Sequence, residues 1–115
     1  THQGARKFVV NSGDRVFLAF LANSDPLQNR YLPVQWVGAM KEWGERFRRL
    51  PASDLPVNII QGDADTTVDW RYNLKALAAK FPAARIRLIP GAMHHLVNET
   101  PALRDQVFEH LFSPA

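Results

Sequence analysis

The second half of the chain alternates between two hydrophobic periods, and that alternation restricts the fold more than any other feature. VNII (57–60) is a short β-branched run bounded by Pro56 and Gly62, the mark of a buried strand. RYNLKALAAKF (71–81) then sets Tyr72, Leu74, Leu77, Ala78 and Phe81 near helical spacing, until Pro82 stops the helix. RIRLIP (85–90) alternates in the manner of a strand. TPALRDQVFEHLF (100–112) opens with Thr100 as N-cap and Pro101 at the first helical position. Its Leu103, Val107, Phe108 and Leu111 form one apolar face. Strand, helix, strand, helix is the pattern of a parallel sheet covered by helices, so the expected fold class is α/β.

The first half is joined to this unit near RLPASDLP (49–56), where Pro, Ser and Asp interrupt any period. KFVV (7–10) and VFLAFLA (16–22) flank a turn at NSGD (11–14), and the longer run suits a strand as well as a helix. PVQWVGAMKEWGERFRR (33–49) is a helix despite Gly38 and Gly44, because Trp36, Met40, Trp43 and Phe47 step by four, three and four and share a face. Two readings of that stripe stay open: it packs against the body of the protein, or it lines an apolar cleft for substrate.

Size and composition narrow the function. A chain of 115 residues with 46% apolar content can bury the core of one domain. It has no cysteine, hence no disulfide framework or thiolate metal site. No apolar run approaches the roughly 20 residues needed to cross a bilayer. The start, THQGARKF, reads as the interior of a longer chain, with His2 at a frayed end. The net charge of +3 comes from cations scattered in ones and twos, and the denser RFRR (46–49) suits the end of a helix. A nucleic-acid partner is therefore not expected.

In open α/β sheets ligands meet the protein beyond the carboxyl ends of the strands. One predicted strand runs into QGDADTTVDW and the other into PGAMHHLVNE, so a parallel pair brings acids and imidazoles to one edge. An Asp there can accept a hydrogen bond from one ring nitrogen of a His, fix its tautomer and stabilise the imidazolium. Asp63, Asp65, His94 and His95 have no spacing that selects a metal site, and no metal or cofactor is expected.

GDADTTVDWRYN followed by PGAMHHLVNE resembles the C-terminal part of the α/β-hydrolase superfamily, in its monoacylglycerol-lipase and lysophospholipase-like branch. Gly62, Asp65 and Val68 match that branch's Gly-x-x-Asp-x-x-Val loop. Gly91, His94, Asn98 and Glu99 match its Gly-x-x-His-x-x-x-Asn-Glu segment. SDPLQNRYLPVQWVGAMKEW (24–43) is similar to the end of its helical cap. The resemblance implies a cap region with the return to the core over 1–50, and the last two parallel strands of the core with their helices over 51–115. It implies a carboxylic-ester hydrolase of lipase, lysophospholipase or esterase type. Asp65 would be the triad acid and His94 the general base, with His95 as the rival base. Trp36, Met40 and Trp43 would accept the acyl chain. Asp63 is expected either to stabilise its loop or to stand exposed, Asp69 to cap the helix from Arg71, Asn98 and Glu99 to set up the last helix, and His110 to sit at that helix's end.

The family's Ser in Gly-x-Ser-x-Gly is missing. Ser12, Ser24, Ser53 and Ser113 lack the paired glycines. The expectation is therefore a C-terminal portion, inactive alone, whose partners are an acyl-ester substrate and the N-terminal half. An open sheet edge could also pair two copies. The competing expectation is a non-catalytic binding module that acts through the aromatic face.

Overall fold

The computed structural model describes residues 3–7 and 9–113; His2 and Phe8, the latter inside the KFVV run, lie outside them. Among the described residues the order is β1 (Gln3–Ala5), α1 (Arg15–Asn23), β2 (Tyr31–Pro33), α2 (Val34–Arg49), β3 (Asn58–Gly62), α3 (Trp70–Lys80), β4 (Arg85–Ile89), a 3₁₀ turn (Leu96–Asn98) and α4 (Pro101–Phe112). The chain is thus mixed α/β, with two small sheets and four α-helices among the described residues.

β3 and β4 pair in parallel from Asn58↔Arg85 to Gly62↔Ile89, and α3 forms the crossover between them. The register ends both strands at the same level, so the loops after Gly62 and Ile89 leave one edge together. Here the core sits: Ile89, Ala92 and Val107 are buried, with Ile60, Leu96 and Leu103 packed around them. Val107 brings α4 onto both strands. The expected face of α4 is only half covered, since Phe108 and Leu111 remain exposed. So do Ile86 and Leu88, the alternate residues of β4 that face away from this core.

The first half resolves the open choices of its sequence. VFLAFLA is helical because the Asp14 side chain accepts from the Val16 and Phe17 N–H groups, each at 3.0 Å, and so caps α1. A two-stranded antiparallel pair, Gln3↔Pro33 to Ala5↔Tyr31, was not foreseen from the sequence. α2 forms as expected, and Arg46, Arg48 and Arg49 occupy its last turn, where the dipole favours cations. No residue of α2 is buried, however. Trp36, Met40 and Trp43 are 51%, 52% and 57% exposed, so this part of the stripe is uncovered, while Phe47 at its end is half-buried with the Lys80 ammonium 5.2 Å over its ring. The end of α2 is moored polarly: Lys80 Nζ donates to the Leu50 and Arg48 carbonyls, and Arg48 to the Tyr72 hydroxyl. No helix among the described residues is long and apolar enough to cross a membrane.

Candidate active site

The loops after β3 and β4 touch through their backbones before any side chain is considered. A Cβ at Gly62 would lie 2.2 Å from the Ala92 carbonyl oxygen and 2.6 Å from that of Met93, so only glycine permits the approach. Gly91 turns the second loop with φ +78°, in the left-handed region. Its N–H donates to Asp63 Oδ1 at 2.7 Å, and the Ala64 N–H donates to the Ala92 carbonyl at 3.0 Å. Asp63 is therefore a brace between the loops.

This contact delivers Asp65 to His94. Asp65 is 7% exposed. Its Oδ1 accepts from the Thr67 and Val68 N–H groups at 2.8 and 3.3 Å, an Asx-type turn that curls the loop around its own carboxylate. Its Oδ2 accepts from Gln61 Nε2 at 3.0 Å and from His94 Nδ1 at 2.9 Å. Burial alone would raise the Asp65 carboxyl, but the hydrogen bonds from His94, Gln61, Thr67 and Val68 outweigh it and hold the group below its ordinary 3.8. A carboxylate can only accept, so Nδ1 of His94 carries the proton and the lone pair resides on Nε2. The His94 side chain is 39% exposed, open to a reactant on that side.

His95 takes a different course. Its ring packs on Phe17 with centroids 5.2 Å apart, and its N–H donates to the Asn11 carbonyl at 2.8 Å. Burial, then the charges of His94 and Arg6, push its imidazole below 6.5. Geometry therefore pairs His94, not His95, with Asp65. Asp69 caps α3 by accepting from the Tyr72 N–H at 3.2 Å.

Of the apolar residues assigned to substrate, Trp36 lines an open cavity of about 740 Å³ together with Arg6, Asn11, Tyr31 and Thr67, the last from the Asp65 loop. Met40 and Trp43 are not in its lining. The serines are otherwise engaged. Ser12 is fully buried, donating to the Asn98 carbonyl at 2.7 Å and accepting from the Asp14 N–H at 2.9 Å. Ser24 ends α1, Ser53 accepts from the Leu55 N–H and Ser113 donates to the His110 carbonyl. Among the described residues no group of three or more His, Asp or Glu is placed to hold a metal ion.

One contributor escaped the sequence reading, and another does more than was read there. Gln61 steadies Asp65, and its position at the strand end, one turn of chain before the acid, was the available signal. Glu99, read as part of the start of the last helix, does accept from the Thr100 N–H at 3.1 Å. It is also fully buried and accepts from Gly13 and Met93, neither of which belongs to that helix. No protein-family profile matches the chain, and none of the curated proteins matches it.

Proposed function

We propose that the chain is the C-terminal part of a serine hydrolase of the α/β-hydrolase superfamily that cleaves carboxylic esters. The observation that carries this reading is the 2.9 Å hydrogen bond between a buried, multiply held Asp65 and the Nδ1 of a solvent-facing His94, at the carboxyl ends of two parallel strands. In this reading His94 Nε2 takes the proton of a serine hydroxyl as that oxygen attacks the ester carbonyl. Asp65 stabilises the resulting imidazolium, which then protonates the departing alkoxide. The serine and the oxyanion donors come from a segment outside these 115 residues, and the aromatic face of α2 with the Trp36 cavity receives the acyl chain.

The test sets the chain beside the longer protein it would belong to, with an activated short-chain ester as substrate. The chain alone is expected to be silent, and the longer protein to turn over. Asp65→Asn in the longer protein is expected to lower kcat by about 10⁴ through the wrong His tautomer. Turnover by the chain alone that vanishes in His94→Ala would overturn the missing-nucleophile reading. A longer protein indifferent to both substitutions would overturn the dyad.

A second reading is favoured by one observation, the exposure of three aromatic or apolar residues along one face of α2: a binding module that uses Trp36, Met40 and Trp43 without catalysis. It predicts that a longer protein lacks any Gly-x-Ser-x-Gly segment before residue 1.

A further inference from the structure

The amides on either side of His94 are both pinned, and both pins lead to Glu99. The amide before it, Met93 N–H, donates to Glu99 Oε1 at 2.9 Å. The amide after it, His95 N–H, donates to the Asn11 carbonyl at 2.8 Å. Asn11 begins the turn whose Gly13 N–H is shared between both Glu99 oxygens, at 3.1 and 3.0 Å. The same turn is fastened again where Ser12 Oγ donates to the Asn98 carbonyl at 2.7 Å. Thr100 N–H completes the set at 3.1 Å. A carboxylate with no solvent exposure thus collects amides from three separate stretches of chain.

We propose that Glu99 is a positioning residue for His94, a buried carboxylate that sets the imidazole on Asp65 by clamping the backbone on both sides of it. The proposal rests on the reading of Asp65 and His94 as an acid–base pair, and it adds a residue that touches neither. The chemistry requires a carboxylate here. Three N–H groups converge on two oxygens, and each charge-assisted hydrogen bond is stronger than its neutral counterpart. Glutamine offers one acceptor and turns an NH₂ donor toward N–H groups that need acceptors. The loop would then shift to find other partners, and the 2.9 Å bond between the imidazole and Asp65 would lengthen, bend and weaken.

The experiment uses the chain labelled with ¹⁵N-histidine and reads the His94 ring directly by NMR. The wild type is expected to show the Nδ1–H tautomer with a downfield, slowly exchanging ring proton. Glu99→Gln should lose that proton and shift the ring nitrogens toward the mixed tautomers of a free imidazole, while far-ultraviolet dichroism is retained. Gly13→Ala is the second variant, for the case in which Glu99→Gln does not fold. Its Cβ would sit 3.0 Å from Glu99 Oε2 and crowd the clamp while leaving the carboxylate in place. It should weaken the same signal. Loss of stability alone, with the His94 signature intact in the folded variants, would overturn the positioning role and leave the dyad standing. A wild type without the Nδ1–H signal would overturn the dyad, and the clamp with it.

Discussion

The regions before and after residue 50 use similar helices to opposite ends. α4 spends its apolar face on the sheet, with Val107 sealed against Ile89 and Ala92. α2 is longer, 16 residues against 12, and has a comparable apolar stripe, yet nothing of it is buried. α4 shares a core with two strands that precede it and a loop that folds beneath it, whereas α2 extends from a three-residue strand and is moored by polar contacts at its far end. An amphipathic face records an intention to be covered, and the cover must come from elsewhere in the fold. The 11–14 turn is the exception in the first region, since its hydrogen bonds belong to the site of the second.

That contrast can be broken most sharply with glycines. Gly62→Ala forces a methyl into the Ala92 carbonyl and is expected to destabilise by about 3 kcal/mol, at the upper end for overpacking because the obstacle is backbone. Gly38→Ala in α2 meets nothing within 4 Å and should stabilise by up to about 1 kcal/mol through helix propensity. Urea unfolding midpoints decide, and equal effects at the two positions would erase the distinction. Core truncation comes next: Ile89→Ala should cost about 2–3 kcal/mol, and Met40→Ala should stay within about 0.5 kcal/mol. A loss at Met40 as large as at Ile89 would mean that α2 is covered in solution.

The smallest expected effect is in pH. Both resolved shifts are downward. Asp65 adds stability that is complete above 3.8 and is lost as pH falls through its lower folded value. His95 prefers to be neutral when folded, so its contribution is complete above 6.5 and is lost as pH falls through its depressed folded value. Thermal midpoints should therefore decline on acidification in two stages. His95→Phe, which keeps a ring against Phe17, should remove the upper stage alone. An unchanged upper stage in that variant would assign it to another group.

The pairing of Asp65 with His94 was legible because strand, glycine and polar loop occur twice in order, and parallel pairing puts both loops at one edge. The choice between His94 and His95 came from motif position, and the structure resolves it by giving His95 a place against Phe17. The helix over VFLAFLA was foreshadowed by Asp14 in the capping position, although seven apolar-rich residues carry no decisive period of their own. β1 and β2 were invisible, since three residues are too few for alternation to register. The fate of the Trp36 stripe was hidden for another reason: periodicity reports which residues share a face and is silent on what lies opposite. Glu99 was placed at the start of the last helix, and its reach to Gly13 and Met93 was not seen. A carboxylate that satisfies backbone amides leaves no complementary charge in the sequence to betray it.

The loop around residue 65 has a consequence for partner choice. A carboxylate offers about four lone-pair positions, and Gln61, Thr67, Val68 and His94 claim them all. No vacancy is left for a passing water or a neighbouring hydroxyl. Fidelity between this acid and its imidazole is thus achieved by exhaustion, every other seat at the anion being taken.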